Sequence, residues 1–322
     1  MEDARILTYT ADENDRGRTV RDVLKGHFHL VAHDLARAKY RTDKGITVNF
    51  ETVLVNRFLM PGDVLRVRLL YEDPQKTVPA KGPLDILYED EDLIALNKPA
   101  GVVVHPSHGH FADTLANFLA EYFREKGEPH EVRSAGRLDK DTSGVILFAK
   151  SRTAAAVLNG QTSLPGVEKE YLALAEGIFE KDTGIVDAPI SREYEEKIRR
   201  VVRDDGAPAR THFRVIRQFD GYALISVKIE TGRTHQIRVH MAHTGHPLVG
   251  DPIYGHGREG VTRALLHAYR ASFIPPFTHR AMDVTAPLPE DFAEKCGDFY
   301  FGFRNHSHIF SNEEALWKTK KR

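Results

Sequence analysis

Residues 136–144 read Gly-Arg-Leu-Asp-Lys-Asp-Thr-Ser-Gly and run straight into the apolar stretch Val145-Ile146-Leu147-Phe148-Ala149. A short unbroken apolar run after a glycine is the pattern of a strand buried on both faces. The chain must therefore build layers on both sides of this strand. It must also hold a polar loop with two carboxylates, Asp139 and Asp141, and one arginine, Arg137, at the strand's entrance. A loop fixed by a rigid scaffold is where reactive groups tend to sit. The same residues would also suit a turn in which Asp and Thr side chains bond their own backbone.

A second segment, GRTHQIRVHMAHTGHPLVGDPIYG over residues 232–255, narrows the choice. Thr234 is placed to cap a helix over 235–244, with Gly245 just past its end and Pro247 as the stop. On that helix His235, Arg238 and Ala242 share one face, while Ile237, Val239 and Met241 supply apolar surface. An arginine projecting from a packed helix needs an anion, either a carboxylate or a phosphate.

Together with Asn97-Lys98-Pro99-Ala100-Gly101, His105-Pro106 and Lys169-Glu170-Tyr171, these two segments resemble the pseudouridine synthases of the RluA family, the large ribosomal-RNA type. The resemblance spans about residues 84–287. Many members carry His where this chain has Gly136, and the related small-subunit group more often has Gly. The departure bears on the substrate more than on the chemistry.

The resemblance implies an isomerase that cuts the N1–C1′ bond of uridine, turns the base and rejoins it through C5. No cofactor and no metal are called for. Asp139 is implied as the group acting at the sugar, as nucleophile or as base. Arg238 is expected beside it, keeping a partly buried carboxylate ionised. Tyr171 is implied as a platform for the extruded uracil, its hydroxyl shuttling the C5 proton. Ile237 is expected to pack against the other face of the base. Arg137 is implied to fill the gap left in the RNA stack. Asp141 reads as a loop-stabilising neighbour.

The chain has 322 residues, enough for two domains, with 41% hydrophobic and 28% charged residues and a formal net charge of −1. No apolar stretch approaches the roughly 18 residues of a membrane span. The start of the chain is acidic and has no signal-peptide core. The single Cys296 allows no internal disulfide, which fits a reducing cytoplasm. Charge is uneven along the chain. Residues 16–70 hold eleven Lys/Arg against five Asp/Glu, and residues 71–95 hold seven Asp/Glu against two Lys.

Residues 1–73 form a first module. Helical spacing through Val20, Val23 and Leu24, a second short helix over His33–Tyr40, a strand near Ile46–Val48 and alternation from Val64 to Leu69 resemble an S4 RNA-binding domain. That resemblance implies a phosphate grip by Arg37, Lys39, Arg41 and Lys44. Residues 74–83, with three prolines and a glycine, read as a linker. Residues 84–300 form the catalytic module and 301–322 a tail. Strands are expected at 93–97, 169–175, 185–190, 211–217 and 222–230. Helices are expected at 113–126 and from a Ser151 cap to Leu158. Many strands without regular strand–helix alternation give an α+β fold, a mixed and largely antiparallel sheet with flanking helices.

The 17 histidines raise a zinc hydrolase as a rival. Neither His105/His108/His110 nor His235/His240/His243 matches zinc-ligand spacing, and Arg238 on the face of His235 would repel a cation. A catalytically silent RNA-binding protein of the same fold is a second rival, but Asp139 and Tyr171 are both present. The basic stretch Lys197–Arg203 faces either RNA or solvent. The expected enzyme is a monomer with no membrane partner, and its substrate is ribosomal RNA or, alternatively, transfer RNA.

Overall fold

The computed structural model describes residues 4–40, 45–70, 76–128, 130–194, 198–257, 260–278 and 280–297. Arg41 and Lys44 of the expected grip and the 301–322 tail lie outside these residues.

The strand Ser143–Ala149 is buried at all seven positions, as its composition requires. It lies within the catalytic sheet, whose path runs Thr183–Asp187, Arg210–Gln218, Tyr222–Ile229, Glu168–Glu176, Leu266–Phe273, Ser143–Ala149, Leu93–Lys98, Ile86–Glu89. Off this path, Arg133–Ala135 pairs with Ser143–Ala149 and Met282–Thr285 with Leu266–Phe273. Every pairing is antiparallel except that of Leu266–Phe273 with Ser143–Ala149. The sheet is thus mixed and largely antiparallel.

The parallel junction explains the glycine that opens the buried run. Gly144 has φ +109°, and a Cβ there would lie 2.2 Å from the carbonyl oxygen of Ala268. No side chain fits, so glycine is required for the two backbones to meet. Beside it Ser143 Oγ and His267 Nδ1 are 2.9 Å apart in the buried sheet.

One face of the sheet packs against the helix Leu115–Glu125, whose Thr114 cap and Asn117 side chain close a capping box. The expected linker is a strap on this helix. Asn117 Nδ2 donates to the Val78 carbonyl at 2.7 Å, Ala80 N donates to the Asn117 carbonyl at 3.1 Å, and Gly82 lies so close to the Phe118 ring that a Cβ would overlap it. The helix Arg152–Leu158 begins at Ser151, whose side chain accepts from Ala154 N.

The N-terminal module has its own core around Val20, Leu24, Leu35, Val48 and Leu65, and a four-stranded antiparallel sheet. The sheet includes Ala4–Thr10, which lies before the basic stretch. The module is seated on the catalytic part. Asp34 Oδ2 accepts from Thr153 N at 3.0 Å and from Thr153 Oγ1 at 2.6 Å, which places it on the first turn of Arg152–Leu158. Arg5 pairs with Glu91 and Asp92. His29 Nδ1 lies 3.2 Å from Ser163 Oγ. Phe277 adopts φ +67°, unusual for a side chain that size, and packs against the module's core with its ring 6.5 Å from that of Phe28.

Asp34→Ala removes two charge-assisted bonds and a helix N-terminal partner at once. We expect thermal melting to show a loss of about 2 kcal/mol. Amide exchange should rise first in residues 152–158 and in the N-terminal module, ahead of the central sheet.

Candidate active site

The loop 136–142 leaves the short strand Arg133–Ala135 and enters Ser143–Ala149. Gly136, at φ +73°, makes the turn, and its N–H donates to Asn159 Oδ1 at 3.1 Å. The loop's backbone is held from below. Lys98 is fully buried, and its Nζ donates to the carbonyls of Pro99, Val102 and Lys140 at 2.9, 2.7 and 2.7 Å. Gly101 N donates to the same Lys140 carbonyl at 2.9 Å, and Arg263 Nη1 donates to the Asp141 carbonyl at 3.1 Å. Burial pushes the Lys98 ammonium down to about 7, while Asp141 and Asp139 favour its charge. Three carbonyl acceptors match the three N–H donors of the charged form.

The loop forms one wall of a cavity of about 330 Å³, large enough for a base and part of a sugar. Asp139 points into it, with about a fifth of its side chain exposed. Tyr171, 6% exposed on the strand Glu168–Glu176, supplies another wall. Burial, and then the Asp139 charge, push its hydroxyl up, so it stays protonated. Ile237 is buried and lines the cavity. Lys169 lies two residues before Tyr171 and so on the same strand face, and burial brings its amine down to about 8. Asp139, Tyr171, Arg137, Ile237 and Arg238 therefore meet around one cavity.

The expected pairing of Arg238 with Asp139 is corrected. Arg238 Nε and Nη2 donate to the two oxygens of Asp251, both at 2.7 Å. Asp251 is fully buried and also accepts from Ile253 N and Tyr254 N at 2.9 and 3.1 Å. Burial opposes its ionisation, but Arg238 and those two amides prevail and hold it below the ordinary carboxylate range. The chain turns back at Gly250–Pro252 and presents Asp251 to the helix, so the fork of Arg238 is filled before it can reach Asp139. Its charge acts on Asp139 only through space.

The helix also starts later than expected, at Gln236. His235 takes the N-cap position in the left-handed region, at φ 59°. Thr234 does not cap the helix; its Oγ1 accepts from Arg137 Nη2 at 2.8 Å and orients that exposed arginine. His235 Nε2 lies 4.0 Å from Asp139 Oδ2, while its Nδ1 lies 2.9 Å from Tyr254 Oη. Burial lowers the His235 pKa against the pull of Asp139, which favours the neutral ring. Tyr254, which sequence reasoning passed over, also stacks beneath the Arg238 guanidinium at 5.2 Å. Asp251 and Tyr254 both stood in the 232–255 segment; only their convergence in space reveals them.

The histidine groups are accounted for individually. His240 places its ring nitrogens 2.8 Å from Thr211 Oγ1 and 2.9 Å from the Ala188 carbonyl. His105 lies 2.7 Å from Ser134 Oγ. Among the described residues no three His, Cys, Asp or Glu side chains converge as a metal site would need, and no helix is long and apolar enough to cross a membrane.

In the N-terminal module Arg37 is half-buried and Lys39 is exposed, with its Nζ 5.4 Å from the Tyr40 ring centre. Neither is near the cavity lining.

A mixed, largely antiparallel sheet thus carries a partly exposed aspartate and a buried tyrosine on one cavity. The sequence pattern of RNA pseudouridylate synthases matches residues 92–243. The chain is 37% identical to an RNA pseudouridine synthase, YhcT, of Bacillus subtilis, over 92% of this chain and 98% of that one. It is 34% identical to ribosomal large subunit pseudouridine synthase D of Escherichia coli O6:H1, over 93% and 96%. Human RNA pseudouridylate synthase domain containing 1 superposes with a TM-score of 0.53 at 28% identity, over 66% of this chain and 86% of that one. The chain belongs to the RNA pseudouridylate synthase family, in its RluA branch. Its reaction is the isomerisation of uridine in RNA.

Arg238→Ala leaves Asp251 buried without its partner, at a cost of about 3–5 kcal/mol. Urea denaturation should show that loss. Asp251→Asn, which leaves Arg238 unpaired instead, should be destabilised to a similar degree. A stable Arg238→Ala protein with intact activity would show that the pair carries neither fold nor site.

Proposed function

We propose that this enzyme modifies uridine in large-subunit ribosomal RNA, with Asp139 as its catalytic residue. Two curated relatives along most of the chain's length support the reading: one is named as acting on the ribosomal large subunit, and the other as an RNA pseudouridine synthase. The observation that carries the catalytic part is the convergence of Asp139 and Tyr171 on one cavity of base-sized volume.

The uridine is extruded from the RNA and enters between Tyr171 and Ile237, with its C1′ toward Asp139. Asp139 acts at the sugar, either by attacking C1′ or by removing a sugar proton. Either step breaks the N1–C1′ bond and frees the uracil from the sugar. The base turns within the cavity and bonds to C1′ through C5. Tyr171, kept protonated by burial, relays the C5 proton through its hydroxyl. Arg137, oriented by Thr234, enters the gap left in the RNA stack. The N-terminal module is an S4-like grip on RNA phosphates through Arg37 and Lys39, and by sequence Arg41 and Lys44. The protein works as a cytoplasmic monomer.

Asp139→Asn keeps shape and binding but removes the reacting carboxylate. We expect RNA affinity within about twofold of the parent and an isomerisation rate lower by several orders of magnitude, read by pseudouridine mapping. A variant that retains a tenth of the parental rate removes Asp139 from its role. Mapping RNA from cells without the protein decides the target. Loss of pseudouridine in ribosomal RNA is expected, and loss confined to transfer RNA overturns that assignment.

A further inference from the structure

The strands Ile190–Arg192 and Arg200–Val202 form a two-stranded hairpin outside the main sheet, and their register places Arg192 directly opposite Arg200. Two like charges facing each other across a strand pair repel. Arg192 turns to solvent, whereas Arg200 is only partly exposed. Nη1 of Arg200 is buried with no hydrogen-bond partner. A guanidinium is always charged, and one of its N–H groups buried with no acceptor is costly.

The hairpin is fixed where it lies. Arg200 N donates to Tyr254 Oη at 2.8 Å, and Val202 packs with Tyr254 on the cluster around Ile190 and Val239. Tyr254 also contacts His235 and Arg238, so the hairpin is tied to the site network. Arg200 lies near enough to Asp139 and Arg137 to feel both charges, yet it is not among the residues lining the cavity. Tyr254 links it to His235 and Arg238, which do line the cavity. Burial and the neighbouring Arg192 and Arg137 disfavour its charge, while Tyr254 and Asp139 oppose them only in part.

An arrangement that is unfavourable alone becomes favourable when an anion enters. The substrate brings a phosphodiester on each side of its target nucleotide. An arginine fork suits phosphate oxygens better than a lysine does. We propose that Arg200, with the charge of Arg192 opposite, is a phosphate site beside the cavity that grips the phosphodiester adjoining the uridine placed over Asp139. The proposal rests on Asp139 marking the reaction centre. Arg200 positions the substrate; it does not react.

The test uses the full-length protein and a short RNA containing a uridine that mapping shows to be modified. Arg200→Gln should raise KM about tenfold, with kcat within about twofold of the parent, which is the loss of one charge-assisted contact. The log–log salt slope of binding should flatten by roughly 0.7–0.9. Arg200→Lys should recover part of the affinity. A neutral methylphosphonate beside the target uridine, tried on each side in turn, should weaken the parent by a similar factor at one of the two positions and cost Arg200→Gln nothing further. Without RNA, Arg200→Gln should melt no lower than the parent, because it loses a buried N–H group with no acceptor. Additive losses from the variant and the neutral linkage overturn the proposal, as does a lowered melting temperature with unchanged KM. A fall in kcat of a hundredfold at unchanged KM also overturns it. A parent that binds the RNA but isomerises no uridine sinks the underlying reading instead.

Discussion

The buried ammonium of Lys98 is the contact on which the site depends. A catalytic loop with two aspartates and an arginine has little reason to hold one shape, since its charged side chains favour solvent. Lys98 reaches it from the end of the neighbouring strand Leu93–Lys98 and takes the carbonyl of Lys140 at 2.7 Å. Two further carbonyls, those of Pro99 and Val102, complete its coordination. The loop is thus fixed by its backbone, which leaves the Asp139 side chain free to face the cavity. An apolar residue at position 98 would leave the carbonyls of Pro99 and Val102 short of a donor and that of Lys140 with Gly101 N alone.

A second layer explains why the aspartate is not simply neutralised. Arg238, a cation near Asp139, is bound through two nitrogens by Asp251. His235, 4.0 Å from Asp139, is driven toward the neutral form by burial. The carboxylate feels positive potential without a bidentate partner, and its oxygens remain available to a substrate. A direct Arg238–Asp139 pair would have bound the carboxylate proposed to react.

Much of this was legible in the residues, and the losses have identifiable causes. The strands over 93–98, 143–149, 168–176 and 222–229 announce themselves as apolar runs, the helix at 115–125 by its amphipathic spacing and that at 152–158 by its Ser151 cap. Leu266–Phe273 was not legible, although it lies next to the buried Ser143–Ala149 strand. It carries His, Tyr, Arg and Ser, and its alanines are small because neighbouring backbones come close, as at Gly144. Ala4–Thr10 is partly exposed and belongs to a small sheet whose partner strand lies some sixty residues later, at Val64–Leu70. The site residues Asp139, Tyr171, Ile237 and Arg137 could be named from motifs. The partner of Arg238 could not, because two carboxylates competed for it and the turn at Gly250–Pro252 decided between them.

The seat of the N-terminal module changes what that module can do. A domain on a loose tether searches a volume and adds local concentration. This one is joined to the catalytic part by Asp34 on Thr153, by Arg5 on Glu91 and Asp92, and by Phe277 in its core, and the connecting strap lies along the helix Leu115–Glu125. Whatever it holds is therefore held at a set reach from Asp139. With the phosphate grip proposed for the module, the two parts would act as the jaws of a caliper. An RNA would then be accepted when its folded shape brings a uridine to one jaw while another of its features rests on the other, so that selection would follow three-dimensional distance as much as base sequence.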